Sequence, residues 1–462
     1  MSEKVNIFWF RRDLRLTDNI GLNQALNNKL KVIPLFIFDE NITTELDKDD
    51  ARINFIYKQL ESINNILLTK YNSKLLVLKG KPFEVIQNLI NKYNVEGFFS
   101  NHDYEPYAIA RDKKINEFLS NKNINFSSFK DQVIFEKDEV TKDDKTPYVV
   151  YTPYMKKWKT KLDNIDLSDF KPKDLAHNFY SNHDSYNWCS LNSFGFEKST
   201  IEIPNYKLDE DLVEKYEKER NFPSLNSTSK IGPHLRFGTV SIRQVLLFVL
   251  KCKNEVFLQE LIWREFFMQI MWFFPRTQTR CFKEKYENVK WLYDEESFKK
   301  WCEGKTGYPI VDAGMRELNA TGFMHNRVRM ITAGFLCKHL LIDWRWGEAY
   351  FAKKLFDYEL SSNIGNWQWA AGTGVDSAPY FRIFNPITQG LKFDIDGEYV
   401  RNYVPELSKL PNKYLFNPWE ASQEILDKAN IELGKNYPKP IVDLKKSRQE
   451  ALSAFAELKV SQ

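Results

Sequence analysis

Residues 5–15 read Val-Asn-Ile-Phe-Trp-Phe-Arg-Arg-Asp-Leu-Arg, an apolar run followed directly by a charged turn. A short apolar run of this kind predicts a buried β-strand. In a dinucleotide-binding domain the strand would continue into a Gly-x-Gly-x-x-Gly turn, and here charged residues replace those glycines. The stretch therefore predicts a sheet domain and disfavours a dinucleotide dehydrogenase.

The N-terminal third of the chain repeats this pattern. Helical-length segments such as residues 51–69 alternate with further apolar runs at residues 32–38, 75–78 and 97–100. Strands that alternate with helices are typical of βαβ units around a parallel sheet. We therefore expect a doubly wound, Rossmann-like α/β domain over residues 1–130.

The remainder of the chain changes character twice. Residues 131–206 are polar, rich in Lys, Asp, Asn and Ser, and include the run Lys142-Asp143-Asp144-Lys145. We expect them to form a connector over the surface. From residue 207 onward, long amphipathic stretches with few strand signals predict an all-helical domain over residues 207–462.

The composition is that of an ordinary globular protein, with 43% hydrophobic and 28% charged residues. The net charge of +4 is weak support for a polyanionic partner and decides nothing alone. The five cysteines are an odd number without a Cys-x-x-Cys pair, which suits neither a disulfide framework nor a zinc site. We expect reduced thiols and no metal.

No export signal or membrane span is expected. Arg11, Arg12 and Arg15 stand where a secretory signal needs an apolar stretch. The most apolar later segment, residues 261–274, is interrupted by charges and is shorter than the roughly 20 residues that span a bilayer. Given the reduced thiols, we expect a cytoplasmic protein. The sequence shows no heptad seam and we expect a monomer, although the sequence leaves the oligomeric state open.

Tryptophan is concentrated in one part of the helical region. Eight of the twelve tryptophans lie between Trp263 and Trp369, among many Phe and Arg residues. A bound aromatic or electron-transferring group would explain this concentration. A large helical core built with tryptophan is the better explanation from composition alone, so finer spacing has to decide.

Two predicted helices in this region carry polar groups among apolar ones. The helical period places an acid, a guanidinium and two rings on one face of the first: Glu260, Trp263, Arg264 and Phe267. The second helix, residues 324–330, places Asn326, Arg329 and Met330 on a common side, while Arg327 points elsewhere. Such mixed faces are typical of an enclosed ligand pocket.

A third stretch, Asp357-Tyr-Glu-Leu-Ser-Ser-Asn-Ile-Gly-Asn-Trp-Gln-Trp369, brings acids and an amide close to paired tryptophans. Together with residues 8–15, Thr306-Gly-Tyr-Pro-Ile-Val-Asp-Ala313 and Phe381-Arg-Ile-Phe-Asn-Pro386, it closely resembles the photolyase/cryptochrome family, above all class I cyclobutane pyrimidine dimer photolyases. The resemblance covers nearly the whole chain and is weakest in the connector. It implies an α/β antenna domain followed by a helical FAD-binding domain.

The resemblance implies a folded, U-shaped FAD. Positions that match the family's cofactor contacts are Tyr216, Thr228, Ser229, Lys230, Ile231, Gln259, Arg264, Asn326, Arg329, Asp357, Glu359 and Asn363. Tyr216 and the Thr228-Ser229 turn match the phosphate positions, and Arg329 with Asp357 matches the ion pair beside the isoalloxazine ring. Glu359 stands where relatives often have Asp, so its contact is left open.

Asn363 matches the residue that faces flavin N5, where plant cryptochromes carry Asp. An amide cannot hand over a proton as a carboxylic acid can, which fits a flavin kept as an anionic electron donor. The resemblance therefore favours repair over plant-type signalling.

On the substrate side, the residues that match the cradle of the flipped dimer are Glu260, Trp263, Asn326, Met330 and Trp369. The two rings suit packing against pyrimidines, the acid and the amide suit hydrogen bonds to base edges, and Met330 suits an irregular gap. Six-four photolyases carry two histidines on the helix at residues 324–330, where this chain has only His325. A six-four substrate is therefore disfavoured.

Two further sets of residues match family positions. Trp367, Trp344 and Trp291 match the three-tryptophan chain that carries an electron from the surface to a photoexcited flavin. The basic positions of the DNA-binding face are matched by Arg220, Arg264, Arg327 and Arg382, with Lys230 as a further candidate. Arginine–phosphate contacts give affinity without sequence information, as a lesion-seeking protein needs.

The antenna chromophore is left open. Glu105 resembles the carboxylate that binds a folate antenna in one branch of the family, but the Cys-Lys pair of that branch is not evident around residues 276–281. Methenyltetrahydrofolate, a deazaflavin and an empty pocket all remain as alternatives.

The resemblance implies a deoxyribodipyrimidine photo-lyase, a carbon–carbon lyase whose partner is UV-damaged DNA containing pyrimidine dimers. The alternatives are a cryptochrome-type blue-light receptor without repair activity and a light-independent DNA-binding protein. Asn363 and the full set of dimer-pocket residues favour the repair enzyme.

Overall fold

The computed structural model describes residues 3–170, 177–181 and 188–459. Two short parts of the predicted connector, residues 171–176 and 182–187, lie outside the described residues. The chain packs into two compact units. The first unit is drawn from residues 1–148, 152–207 and 230–273, and the second from residues 149–151, 208–229 and 274–462.

A five-stranded parallel sheet lies at the centre of the first unit, with the strand order β3-β2-β1-β4-β5. Its strands are β1 (Lys4–Phe10), β2 (Lys31–Asp39), β3 (Leu76–Gly80), β4 (Asn94–Asn101) and β5 (Asn125–Phe129). The predicted doubly wound α/β fold is thereby confirmed. The strand order reverses at β1 and β4, the position where open α/β sheets bind ligands at the carboxyl ends of their strands.

The strand that the sequence pattern missed is β5. It pairs only with β4, at the edge of the sheet, and each of its residues is exposed or half-buried. Its sequence, Asn-Phe-Ser-Ser-Phe, lacks the apolar run by which the other strands are recognised. An edge strand needs less burial, so its polar sequence gives a weak strand signal.

Helices cover both faces of the sheet, which explains the unbroken apolar run of β1. The first five helices are α1 (Ile20–Leu26), α2 (Glu40–Thr43), α3 (Ala51–Tyr71), α4 (Pro82–Lys92) and α5 (Pro106–Ser120). Phe8 and Phe10 pack in one core cluster with residues of α1 and α3, while Ile7 and Trp9 pack in the other with residues of α4 and α5. A strand buried on both faces has no polar side to present.

The remaining chain is helical, as predicted. Its α-helices are α6 (Tyr151–Leu162), α7 (Glu210–Glu219), α8 (Gly232–Arg236), α9 (Ile242–Val249), α10 (Val256–Phe273), α11 (Glu295–Cys302), α12 (Pro309–Thr321), α13 (Asn326–Gly334), α14 (Trp344–Lys354), α15 (Leu360–Ala371), α16 (Pro386–Phe393), α17 (Glu398–Tyr403), α18 (Asn412–Leu415), α19 (Gln423–Ala429) and α20 (Leu444–Ala456). A π-helical turn, Phe335–His339, follows α13 directly. The predicted connector contains α6.

The first unit includes α8, α9 and α10, although their sequence is helical like that of the second unit. A buried ion-pair network fastens α9 to the sheet domain. Asp131 lies 2.6 Å from Arg15 and 2.8 Å from Arg243, and Arg243 also pairs with Asp18 at 3.1 Å. The helical pattern that places a boundary near residue 207 does not show this packing, because it arises between residues more than a hundred positions apart.

A second buried acid, Glu265, fastens α10 to the same domain. It accepts hydrogen bonds from the backbone N–H groups of Ile134 and Phe135 and from Nε1 of Trp158. Its burial raises the pKa of its carboxyl, against the lowering effect of these hydrogen bonds. Glu265 therefore has a structural role in the first unit.

No helix among the described residues is long and apolar enough to cross a membrane. The five cysteines are all free thiols. Within the same described residues, no group of three His, Cys, Asp or Glu side chains is placed to hold a metal ion.

Replacing Asp131 with alanine is expected to lower the free energy of unfolding by about 3–5 kcal/mol, because Arg15 and Arg243 both lose a buried carboxylate partner and only Arg243 keeps another, Asp18. Urea unfolding, followed by a signal that reports on the first unit, measures this change in the free energy of unfolding. The matched control is Asp143→Ala, since Asp143 forms a solvent-exposed pair with Lys157 and its loss should change little. Equal stabilities for the two variants would contradict the proposed importance of the network.

Candidate functional site

The second unit contains an open pocket of about 590 Å³. It lies between α13, α14, α15 and the loop before α15. Eight of the residues singled out from the sequence line it: Asn326, Arg329, Met330, Asp357, Glu359, Asn363, Trp367 and Trp369. Phe351, Leu355 and Ala333 add apolar surface. An apolar pocket with a few convergent polar groups is what a small-molecule site requires.

An ion pair occupies one wall of the pocket. Nη2 of Arg329 donates to Oδ2 of Asp357 at 2.8 Å, and its Nε donates to the backbone oxygen of Met324 at 2.7 Å. The second carboxylate oxygen of Asp357, Oδ1, is buried and has no hydrogen-bond partner among the described residues. A buried acceptor without a donor is costly, so a ligand N–H is its natural complement.

Glu359 begins α15. Its Oε2 accepts from the backbone N–H of Ser362 at 3.0 Å and from the hydroxyl of Ser361 at 2.6 Å. An acid at the N-cap accepts hydrogen bonds from backbone N–H groups that have no partner within the helix. Its negative charge is also stabilised by the positive end of the helix dipole. Glu359 therefore fixes the start of the helix that carries Asn363, and its predicted cofactor contact stays a prediction.

The amide of Asn363 is held from α14. Its Nδ2 donates to Oε1 of Glu348 at 2.9 Å and to the backbone oxygen of Glu348 at 3.2 Å. Burial raises the pKa of the Glu348 carboxyl, and the hydrogen bond from Asn363 opposes that rise. Because Nδ2 is occupied, the orientation of the amide is fixed. Sequence reasoning missed Glu348, which lies fifteen residues before Asn363 on a separate helix.

The three tryptophans of the predicted electron-transfer chain, Trp367, Trp344 and Trp291, are all buried in the second unit. Trp367 lines the pocket and packs edge-on against Phe351, with ring centroids 4.9 Å apart. Its close fit against α14 requires Gly347, where an added Cβ would lie 2.1 Å from the Trp367 ring.

Basic residues cluster at the start of α13. His325 caps the helix, its Nδ1 accepting from the backbone N–H of Arg327 at 3.2 Å. Burial, together with the charges of Arg329, Arg327 and Arg220, lowers the pKa of His325 to about 4. His325 is therefore neutral near pH 7.

Two of the predicted DNA-contacting arginines are held by specific contacts. The guanidinium of Arg327 donates to Oδ1 of Asn221 and lies 4.2 Å from the centre of the Phe393 ring. Arg220 ends α7, with its guanidinium over the ring of Tyr216 at 5.4 Å. Arg382 is exposed and lines a small depression that Met330 and Trp369 also line.

The predicted residues of α10 belong to the first unit. Of the positions from 256 to 271, five remain partly exposed: Val256, Gln259, Glu260, Trp263 and Arg264. They form one open stripe. Of the four residues that the helical period predicts on one face, Glu260, Trp263 and Arg264 lie on this partly exposed stripe. The fourth, Phe267, is buried and packs against Trp263. Nη1 of Arg264 donates to the backbone oxygen of Gln132 at 2.8 Å.

The predicted phosphate-binding residues are divided between the units. Tyr216, Thr228 and Ser229 belong to the second unit, and Lys230 and Ile231 to the first. Lys230 adopts a left-handed backbone conformation with φ of 53°, which marks a sharp turn at this point.

The predicted antenna residue Glu105 lies just before α5 and is paired within the first unit. Its Oε1 lies 2.9 Å from Arg12 and 3.2 Å from Arg236. Arg12 also pairs with Asp103 at 3.2 Å. Burial disfavours ionisation of Asp103, but Arg12 and Arg236 outweigh it and hold its pKa at about 2. An antenna contact at Glu105 stays a prediction and would have to share this carboxylate with two arginines.

Comparisons with known proteins agree along the whole chain. Residues 6–174 match the family model described as DNA photolyase, and residues 257–457 match that of the FAD binding domain of DNA photolyase. The deoxyribodipyrimidine photo-lyase of Agrobacterium fabrum is 38% identical, and the alignment covers 98% of each chain.

Solved structures show the same similarity. A class III photolyase from Agrobacterium tumefaciens superposes with a TM-score of 0.89 at 36% identity, covering 99% of this chain and 98% of its own. An archaeal photolyase from Sulfolobus tokodaii, solved with two FAD molecules, gives 0.83 at 34% identity over 98% and 99%. A cryptochrome from Synechocystis gives 0.88 at 27% identity over 98% and 99%.

The stability of the protein should depend on pH through His325. Its pKa is lowered from 6.5 to about 4 in the folded chain, so between these values the unfolded chain binds more protons. The free energy of unfolding therefore falls as the pH drops through this window. His325→Asn keeps a capping side chain and should remove this part of the dependence. Urea unfolding at several pH values measures it, and an unchanged slope in the variant would refute the assignment.

Gly347→Ala is expected to destabilise the second unit by about 1–3 kcal/mol, because the added methyl group overlaps the Trp367 ring. Urea unfolding and tryptophan fluorescence report the change. The control is Gly334→Ala on α13, where the added Cβ would meet its nearest atom at an ordinary 3.8 Å. If the two substitutions prove equally mild, the close packing of α14 on Trp367 is not rigid.

Proposed function

Because this chain belongs to the DNA photolyase family, we propose that it splits cyclobutane pyrimidine dimers in DNA under blue light, as a deoxyribodipyrimidine photo-lyase. The observation that carries the proposal is the second-unit pocket. It brings Arg329, Asp357 and Asn363, the residues expected beside the flavin, together with Met330 and Trp369, which are expected beside the dimer.

The pocket suits the isoalloxazine ring of FAD, the cofactor of this family. A planar ring with a polar edge needs apolar walls and one buried acceptor, and Phe351 and Leu355 provide the walls while Oδ1 of Asp357 provides the acceptor. Bound FAD, in its reduced form, supplies the light absorption and the electron that opens the dimer. The protein supplies position and charge.

Arg329 and Asp357 set the charge of the site. Their ion pair is largely withdrawn from solvent, with the side chains 25% and 15% exposed. A guanidinium in such a place stabilises negative charge on a neighbouring group more strongly than it would in water. Asp357 holds that guanidinium in place through Oδ2, and its Oδ1 is left to accept a hydrogen bond from the ligand.

Asn363 controls protons at the pocket. Its amide has no acidic proton to transfer, and its Nδ2 is already engaged by Glu348. The side chain therefore offers a hydrogen-bonding group of fixed orientation without acting as an acid. This favours electron transfer to a substrate over protonation of the cofactor.

We propose the substrate contacts from the chemical type of each residue and from its position in the structure. In the second unit, Asn326, Met330 and Trp369 line the same pocket as the flavin residues. The family resemblance assigns Glu260 and Trp263, on the open stripe of α10, to the dimer as well. Glu260 would hydrogen-bond the base edge and stabilise the added electron on the opening dimer.

Arg220, Arg327 and Arg382 are proposed to contact DNA phosphates. Arg327 is only partly withdrawn from solvent, and burial together with the charge of Arg220 lowers its pKa. Like charges held this close are offset when a phosphate binds, so these residues favour a polyanionic partner. UV-damaged DNA is the partner that the family suggests.

A blue-light receptor of cryptochrome type is the second candidate. The similarity to the Synechocystis cryptochrome, with a TM-score of 0.88, favours it to that extent. It predicts bound FAD and light-driven cofactor chemistry without dimer repair, so one assay separates the two.

Purified, photoreduced protein should restore intact thymines in a thymine-dimer oligonucleotide under blue light and not in the dark. Glu260→Ala should slow repair about tenfold or more, the size of a lost charge-assisted hydrogen bond. Glu255→Ala is the matched control, because Glu255 is an exposed acid just before α10 that pairs with Lys159. Cofactor photochemistry without any repair would support the receptor instead.

A further inference from the structure

The π-helical turn that follows α13, Phe335–His339, contains two buried basic side chains, Lys338 and His339. Neither of them lines the pocket between α13 and α15. π-Helical turns are rare and occur frequently at functional sites. In this turn, both basic side chains bond to segments of the second unit that carry predicted substrate residues.

His339 holds the loop over residues 379–385, which carries Arg382 and is called the Arg382 loop below. Its Nε2–H donates to the backbone oxygen of Phe384 at 2.9 Å, and its Nδ1 lies 2.9 Å from Oγ of Ser447 on α20. Burial lowers the pKa of His339, against the opposing effect of its bond to Phe384. The ring is therefore neutral near pH 7, and the carbonyl oxygen of Phe384 requires its single proton at Nε2.

The start of the Arg382 loop is held separately. The ring of Tyr380 stacks on Phe455 of α20, with centroids 5.7 Å apart and an interplanar angle of 4°. Within the loop, the backbone N–H of Arg382 donates to the oxygen of Pro379 at 2.8 Å. The loop is thus held on both sides of Arg382, whose own side chain is exposed.

Lys338 holds the end of α15. Its ammonium donates to the backbone oxygen of Ala371, the last residue of that helix, at 2.7 Å and lies 3.7 Å from the centre of the Phe455 ring. Burial lowers the pKa of this ammonium to about 7, and no carboxylate lies within 4 Å of it in the described part of the chain. A buried ammonium without an acid destabilises a fold, so stability alone does not explain its position two residues beyond Trp369.

The two segments that the turn holds meet at the small depression beside the pocket. Its lining includes Met330, Trp369 and Arg382 together with Lys338 and Phe384. Met330 and Trp369 are proposed to contact the dimer, and Arg382 a DNA phosphate. The position of Arg382 relative to Trp369 therefore depends on the π-helical turn.

We propose that His339 and Lys338 are positioning residues for DNA binding, which hold Arg382 and Trp369 in place before DNA arrives. The proposal rests on the proposed function, since it takes Arg382 as a phosphate contact and Trp369 as a dimer contact. A loop that is already held in its bound conformation loses less conformational entropy on binding. His339 is only 5% exposed, so it acts through the backbone of Phe384.

The test is the dissociation constant of the FAD-loaded protein, measured in the dark, for a thymine-dimer duplex and for the same duplex without the dimer. His339→Leu is expected to weaken the binding of both duplexes about tenfold, because a phosphate contact does not depend on the bases. His339→Gln keeps a donor near the position of Nε2 and should restore most of the affinity. The repair rate at saturating DNA should stay within about twofold of the wild type in both variants, because the flavin pocket is unchanged.

Lys338→Met should weaken the binding of the dimer duplex alone, by about threefold or more, because the end of α15 positions the ring that packs on the flipped dimer. This variant removes a buried charge, so the proposal stays testable if His339→Leu fails to bind FAD. Wild-type affinity for the dimer duplex in Lys338→Met would overturn the role of Lys338, and wild-type affinity in His339→Leu would overturn that of His339.

The matched control is His234→Leu in the first unit. His234 is also 5% exposed, and its ring nitrogens likewise bond a hydroxyl, that of Thr239 at 2.8 Å, and a backbone oxygen, that of Pro204 at 3.1 Å. Its replacement removes the same kinds of contact from the fold and should leave the affinity for DNA unchanged. Equal weakening in the two leucine variants would show a general loss of stability and overturn the positioning role.

Arg382→Ala separates this proposal from the proposed function. If His339 acts through Arg382, then adding His339→Leu to Arg382→Ala should weaken binding no further. Fully additive effects, or wild-type affinity in Arg382→Ala alone, overturn the positioning role of His339 and leave dimer repair intact. If the wild type neither binds the dimer duplex more tightly than the undamaged one nor repairs it under blue light, the proposed function fails and the positioning role fails with it.

Discussion

Asp131 lies between Arg15, in the turn after β1, and Arg243 on α9, and all three side chains are at most 7% exposed. Buried ions are tolerated only when each one has a partner, so the turn after β1 cannot be formed without the segment that contributes Arg243. The same constraint applies to Arg11, which pairs with Asp112, and to Arg12, which pairs with Asp103 and Glu105. Arg11 thus pairs with α5, whereas Arg12 and Arg15 attach the charged turn to α8, through the backbone oxygen of Arg236, and to α9, through Asp131.

The second unit is organised around helix termini. The capping acid Glu359 and the capping base His325 define where α15 and α13 begin, and the pocket lies between those two helices. Arg329 lies on α13 and Asp357 lies just before α15. Their ion pair therefore joins the two helices across the pocket. Position and charge at the site therefore come from the same few interactions that hold the helices together.

Local pattern was sufficient for four strands of the sheet and for three of the four residues predicted on one face of α10, because burial of one face or both repeats at a fixed period. Phe267, the fourth, is buried. Local pattern failed for β5, whose edge position requires little apolar surface. It also could not reveal that Glu348 holds Asn363 or that Trp301 contacts Trp367, because these contacts join separate helices. Resemblance singled out the residues that are proposed to face a ligand, whereas the residues that orient them became visible only in three dimensions.

The hydrogen bond between Glu348 and Asn363 has an evolutionary consequence. An aspartate at position 363 would place two carboxyl groups within hydrogen-bonding distance in a buried site, and such a pair retains one shared proton. A single nucleotide change from an asparagine to an aspartate codon would thus install a proton donor where the chain now has none. Position 363 thus differs from an acidic site by one exchangeable atom group, and the second carboxyl that would share the proton, that of Glu348, is already present.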